Sequence, residues 1–224
     1  MKHESFNESI EMYLKTINEL IVGEGTVPIS TLAEWLGVSN VSATEMVHKL
    51  QGQGLVEHEP YKGVKLTKEG SKQAFRVLRN HRMWECFLVK QLNLPWEHVH
   101  ELACHMEHVS DPEVVEALAV YLGHHKTCPH GNPIPTVDGK IALATGIPLV
   151  ELKPSERGVI ISIHPESALL LKYLAAREIK PGRHILLKDI APFNGPFTII
   201  CGSQTYSLGR EIAAHIFINN QIEF

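Results

Sequence analysis

The hydrophobic period of this chain changes near residue 150, so it cannot fold as one uniform layer. Before the change, apolar residues recur at helical spacing. From 4 to 22 they are Phe6, Ile10, Tyr13, Leu14, Ile17, Leu20 and Ile21, and Gly23 and Gly25 end the run. A short helix follows over 30–36, then a tight turn at Gly37–Ser39, then a third helix from about Val41 to Gln53, stopped by Gly54. The stretches 55–59 and 64–66 flank a turn at Pro60–Gly63 and read as a hairpin. Thr67 is a good N-cap for a long helix through about Leu92. After Pro95 come helices over 97–109 and 112–122, Pro112 suiting the first turn of the second.

Residues 123–150 are rich in Gly and Pro and mark a boundary. Beyond it, 158–163, 184–187, 197–200, 204–207 and 215–218 are short β-type runs, interrupted by one helix at about 167–177. Strands that short and that closely spaced suggest a small barrel. The expected fold class is α+β. The expected domains are 1–73, a winged helix-turn-helix; 74–140, a helical unit; and 151–224, a small β-barrel.

The net charge of −4 excludes a generic polyanion binder, so any nucleic-acid contact needs a local basic face. No apolar run reaches the roughly 18 residues of a membrane span. The N-terminus is polar and acidic, unlike a signal peptide, so a cytoplasmic protein with no membrane partner is expected. The four cysteines show no CxxC pairing, which speaks against a disulfide framework. Many of the 14 histidines cluster between His81 and His130 and point toward metal chemistry.

The segment 31–50 has helix-turn-helix order. Leu32, Ala33 and Leu36 bury the first helix, Gly37 permits the sharp turn, and Val41, Met46, Val47 and Leu50 anchor the second. Ser39, Asn40, Ser42, Ala43 and Glu45 are left on its outward start, where short side chains reach base edges and phosphates. With Thr31, Val41, Lys49 and Lys62 they form the expected DNA contacts. The hairpin makes the unit winged, and Tyr61, Lys62 and Lys65 are placed for phosphates. Glu45 repels phosphate and must face a base or solvent. The plain alternative is a three-helix packing unit with no DNA role.

The helix after Pro95 carries His100, Cys104, Glu107 and His108 at i, i+4, i+7 and i+8, which predicts one shared face. Imidazole, thiolate and carboxylate together are costly to bury without a neutralising cation. They suit Fe(II), Co(II), Ni(II) and Zn(II) better than Mg(II) or Ca(II). The preceding helix offers His81 and Glu85 at i and i+4. Two donor sets result: His81, Glu85 and His100, and Cys104, Glu107 and His108. The alternative is a solvated polar face. Cys86 and Cys201 read as buried small residues, and Cys128-Pro129-His130 as a rigid turn.

Five segments together resemble the diphtheria toxin repressor family of metal-dependent regulators. They are Glu11–Ile17, the helix-turn-helix with Val56 and wing, His81-Arg82-Met83-Trp84-Glu85, His100–His108 and Gly131–Pro135. The resemblance covers essentially the whole chain. It implies an N-terminal winged helix, a helical dimerisation domain and a C-terminal SH3-like domain of the FeoA type. It implies a primary metal site at Met12, Cys104, Glu107 and His108, and an ancillary one at His81, Glu85 and His100. A further ligand from the barrel falls on Glu166, or on His164. The manganese-sensing branch is similar but has acidic residues in place of Met12 and Cys104, and a carboxylate in place of Lys15. Sulfur ligands favour Fe(II) as the cofactor, with Mn(II), Co(II), Ni(II) or Zn(II) as alternatives.

The expected function is a homodimeric, Fe(II)-dependent repressor. It binds palindromic operators of metal-uptake genes when loaded with metal. A manganese-transport regulator of the same family is the nearest alternative. A dimetal hydrolase is the rival from another class, although no HExxH-type motif is present. No enzymatic activity is expected.

Overall fold

The computed structural model describes residues 2–21, 25–108, 110–142 and 146–220, with side chains from residue 8 onward. The helix ends expected at Val22 with Gly23, and at Val109, lie outside the described residues. The chain divides into two compact units. The first comprises 1–81, 106–110 and 135–141, and the second comprises 82–105, 111–134 and 142–224.

The first unit opens with α1 (Lys2–Leu20), α2 (Ile29–Leu36) and α3 (Asn40–Gly52). Leu14, Ile17, Leu32, Val47 and Leu50 from these helices are fully buried in one core. Each such side chain contributes about 1.5–3 kcal/mol relative to exposure. Gly37 ends α2 in the left-handed conformation at φ 66°. Ser39 then caps α3, its Oγ accepting from Ser42 N at 3.1 Å. The wing is the antiparallel pair β1 (Val56–Glu59) and β2 (Gly63–Leu66), and Val27 adds a bridge to Val64. Thr67 accepts from Gly70 N at 3.1 Å, as expected of a cap, and α4 (Lys68–Lys90) follows.

The second unit takes the end of α4, then α5 (Val99–Met106) and α6 (Pro112–Tyr121). Asp111 caps α6, with Pro112 in the first turn. Met83, Cys86, Val115, Ala119 and Leu122 form a small core between these helices.

The remaining strands are β3 (Ile147–Pro148), β4 (Arg157–Ile163), β5 (His184–Ile190), β6 (Phe197–Cys201), β7 (Gln204–Leu208) and β8 (Ile216–Asn219). They form one antiparallel sheet in the order β3-β8-β4-β5-β6-β7. Irregular register in β4 at Ile160/Ser162 and in β5 at Leu187/Asp189 bends it, as bulges do. Phe197, Ile199 and Cys201 alternate inward along β6, and α7 (Ala168–Ala175) adds Leu170, Leu171 and Leu174 to the same core. The five expected strand runs are all present. The two-residue β3 and the short α8 (Arg210–Ala214) carry too few residues for a period to show. Among the described residues no helix is long and apolar enough to cross a membrane.

Two expectations need correction. Val41 does not anchor α3; it is 68% exposed, and Ala43, Val47 and Leu50 carry the buried face instead. The expected shared face of His100, Cys104, Glu107 and His108 also fails, because α5 stops at Met106. Side chains capture the carbonyls there: Ser110 Oγ donates to Met106 O at 2.6 Å, and Asn80 Nδ2 donates to Glu107 O at 3.0 Å. Glu107 and His108 therefore leave the helix and fall in the first unit, while His100 and Cys104 stay in the second.

Candidate metal centre and nucleic-acid interface

At the start of α3, Ser39, Asn40, Val41, Ser42 and Glu45 are exposed, as are Thr31, Lys49 and Lys62. Ala43 has no exposed surface and packs in the core, so it cannot present a contact to DNA. Ser39 spends its hydroxyl on the helix cap and on Ser42 Oγ, 2.9 Å away. The wing lysines pair within the wing: Lys62 to Glu59 at 2.6 Å and Lys65 to Glu57 at 2.9 Å. These pairs are exposed and so worth little, which leaves both ammonium groups exchangeable for phosphate.

In the first unit, Glu107 is a buried carboxylate at the centre of a charged network. Lys15 Nζ donates to both of its oxygens at 2.8 Å, and His81 Nδ1 lies 2.5 Å from Oε2. Burial pushes the Glu107 carboxyl up, but Lys15 and His81 outweigh it and hold it below the usual carboxylate range. His108 Nε2 lies 3.2 Å from Glu107 Oε1. Its Nδ1 lies 2.7 Å from Glu11 Oε2, and Arg76 donates to Glu11 Oε1 at 2.7 Å. That carboxylate orients the ring and turns Nε2 toward Glu107, the orientation a histidine ligand needs. Met12 is half-buried on α1.

The second unit holds a more compact cluster. One donor atom each from Glu85, Cys128, His130 and Glu166 lies within 4.8 Å of the others, and all four residues are buried. His130 Nδ1 is 3.1 Å from both Glu85 Oε1 and Glu166 Oε2. His100 Nδ1 is 3.5 Å from Glu85 and 3.3 Å from Glu166. Cys128 Sγ is 3.8 Å from Glu166 Oε1 and 4.0 Å from His130 Nδ1. Cys104 Sγ is 4.0 Å from His100 Nε2.

A loop pinned to β4 produces this convergence. Cys128 N donates to Asn132 O at 2.9 Å, Gly131 N to Cys128 O at 2.9 Å, and Ile163 N to His130 O at 3.0 Å. Asn132 Nδ2 reaches Ile163 O at 2.8 Å and also donates to Glu166 Oε1. His130 Nε2 donates to Trp96 O at 2.8 Å, which turns Nδ1 inward toward the two carboxylates as the nitrogen a metal ion would take once its proton is lost.

The donors fit a divalent ion of the transition series. Glu166 Oε2 is buried and makes no directed hydrogen bond, although two imidazole nitrogens lie within 3.3 Å of it. Tetrahedral ligand atoms around such an ion stand roughly 3.3–3.8 Å apart, close to the spacing found. The electrostatics agree. Burial disfavours the charged form of His130, but Glu85 and Glu166 outweigh it and raise its pKa well above the usual imidazole value. Burial, then Glu85 and Glu166, push the Cys128 thiol up. Two buried carboxylates are thus balanced by imidazolium protons, a charge that a cation can replace.

Glu85, His100 and Glu166 of the expected set come together here, and His164 is not among the grouped donors. Cys128 and His130 were not expected as ligands. The spacing Cys-Pro-His and the eight-residue run to the Pro-rich segment ending at Pro135 were the signals present in the sequence.

A winged helix-turn-helix joined to a buried histidine–carboxylate–thiol cluster defines the class: a DNA-binding regulator with a metal-type donor site. Comparisons with known proteins narrow it. The family model "Iron dependent repressor, N-terminal DNA binding domain" matches residues 5–64. "Iron dependent repressor, metal binding and dimerisation domain" matches 67–136, and "FeoA domain" matches 147–220. The iron-dependent repressor IdeR of Mycobacterium leprae is 31% identical over 220 residues, covering 92% of this chain and 94% of that protein. The diphtheria toxin repressor of Corynebacterium jeikeium is 35% identical over 191 residues, covering 80% and 78%. A manganese-dependent transcriptional repressor solved in complex with manganese superposes with a TM-score of 0.85 at 30% identity, covering 94% of this chain and 99% of that one. The chain belongs to the iron-dependent, diphtheria toxin repressor family of metal-dependent transcriptional repressors. The dimetal hydrolase reading finds no support in these likenesses.

Proposed function

We propose that this protein is a cytoplasmic, homodimeric repressor that binds palindromic operators of metal-uptake genes with Fe(II) as corepressor. The observation that carries the reading is the buried Glu85–Cys128–His130–Glu166 cluster. We assign His100 to the same set and keep His81 as a contributor. Met12, Cys104, Glu107 and His108 form the second proposed set. Sulfur at Met12, Cys104 and Cys128 favours Fe(II) over Mn(II). The exposed apolar residues Val114, Val120 and Tyr121 on α6 suit a subunit interface. Thr31, Ser39, Asn40, Val41, Ser42, Glu45, Lys49 and Lys62 are the proposed DNA contacts.

When bound, a divalent ion supplies the positive charge that Glu85 and Glu166 otherwise draw from imidazolium. Glu85, Cys128, His130 and Glu166 hold it, and Trp96 O and Asn132 keep His130 and Glu166 in place. Residues 126–134 and β4 are thereby fixed to each other. Operator affinity rises because the metal-held shape is the one that matches both half-sites.

The test is an operator mobility shift across Fe(II), Mn(II), Co(II) and Zn(II), with chelator reversal and with Cys104→Ala and Met12→Ala alongside. Operator affinity that rises with metal and collapses in chelator supports the reading. Operator binding indifferent to metal rejects it.

A pH dependence follows from the raised His130 pKa. Below that raised value His130 carries a proton, and the ion pair stabilises the metal-free fold. This contribution is complete below the unfolded imidazole value of about 6.5 and is lost as pH climbs through the folded one. Metal must displace that proton and the Cys128 proton. Burial disfavours the charge on His100, but the neighbouring Cys104, Glu166 and Glu85 outweigh it and raise its pKa to about 12, so its proton is given up as well. Calorimetry in buffers of different ionisation enthalpy should therefore report about three protons released per ion at this cluster, with affinity rising with pH. Binding without proton release would show that the thiol and imidazole are not ligands.

A further inference from the structure

The first unit contains a cation of its own at Glu107. Lys15 is 2% exposed, although its four-carbon stem gives a lysine ample reach to solvent. An ammonium is held at that depth only by an opposite charge with good geometry. Glu107 provides it, accepting from Nζ at 2.8 Å with each oxygen. The His81 Nδ1 atom, 3.4 Å from Nζ, closes the same cluster. Lys15 therefore straddles the carboxylate and leaves neither oxygen outside its reach. Glu107 Oε1 also faces His108 Nε2 at 3.2 Å, with that ring oriented through Glu11. The donors that would converge on a metal ion at Glu107 and His108 thus already face a fixed ammonium.

We propose that Lys15 is a resident competitor cation. It raises the concentration of divalent metal at which the Glu107–His108 donor set fills, and it stabilises the unit while that set is empty of metal. A divalent ion taking Glu107 must share or displace the ammonium, so Lys15 sets both the threshold and the charge the set accepts. The inference rests on the reading of Glu107 as a metal ligand.

The test uses full-length, metal-stripped protein, Co(II) as the probe, calorimetry for affinity and stoichiometry, and thermal melting in chelator. Lys15→Met keeps the apolar stem and removes the charge. It should melt lower than wild type in chelator, recover with Co(II), and bind at this set at least tenfold more tightly. Equal or weaker binding by Lys15→Met overturns the proposal. Lys15→Arg, which retains the charge, serves if Lys15→Met does not fold. It should keep affinity near wild type, and a tenfold gain there overturns the proposal equally. Glu107→Gln separates the two readings. Loss of one bound ion upholds Glu107 as a ligand, and unchanged stoichiometry and affinity remove the ligand itself, whatever Lys15→Met does.

Discussion

His130→Ala is expected to abolish the rise in melting temperature that metal produces at the second unit's cluster, and to weaken metal binding there by more than a hundredfold. The ring provides the one nitrogen that lies 3.1 Å from both Glu85 and Glu166. Loss of an outer-shell partner alone typically costs 10–100-fold, and here a direct donor is lost. The metal-free protein suffers too. Removing one partner of a buried ion pair costs about 3–5 kcal/mol because the remaining charge stays desolvated. Glu85 and Glu166 would respond by taking up protons, so the loss should be larger at neutral than at acidic pH. Melting curves with and without metal at two pH values check both parts. A variant that keeps the wild-type metal response would remove His130 from the centre.

Gly131→Ala is expected to destabilise the second unit by about 3 kcal/mol or more, through backbone strain and overlap together. Gly131 has φ +85°, and a β-carbon there would stand 1.9 Å from the carbonyl oxygen of Ile161. That contact is with backbone of β4, which cannot rotate away. Relief requires moving the 128–132 turn off the strand, and Cys128 and His130 move with it. Metal affinity should therefore fall alongside stability. Gly202→Ala is the control. Gly202 also has positive φ, +62°, but nothing lies within 4 Å of the added carbon. Strain alone should cost it about 1 kcal/mol. Urea unfolding of the two variants separates overlap from strain. Equal losses would mean that the turn does not press on β4 as described.

Much of this fold was legible because its signals are local. Gly37, the Ser39 cap, the Thr67 cap and Pro112 each mark a helix boundary by their own backbone chemistry, and the alternation along β6 marks a half-buried strand. The donor cluster was legible only in part, because its geometry is not local. Helical spacing groups His100 with Glu107 and His108, but Asn80 and Ser110 capture carbonyls at the end of α5 and the face is lost. Cys128 and His130 look like turn residues by composition. Their role depends on a backbone approach to β4 at Ile161–Ile163, which no spacing along the chain encodes. Lys15 shows the same gap. Its helical position predicts burial, while its partner lies 92 positions away.

The central claim is that Cys128 and His130 bind the ion to which the repressor responds. Cobalt titration of the Cys104→Ser protein, followed by absorption, tests it directly, since Cys128 is then the thiolate donor left among the proposed ligands. A saturable thiolate-to-cobalt charge-transfer band, lost again when Cys128→Ser is added, is the predicted result. Cobalt binding to Cys104→Ser with no such band would contradict it.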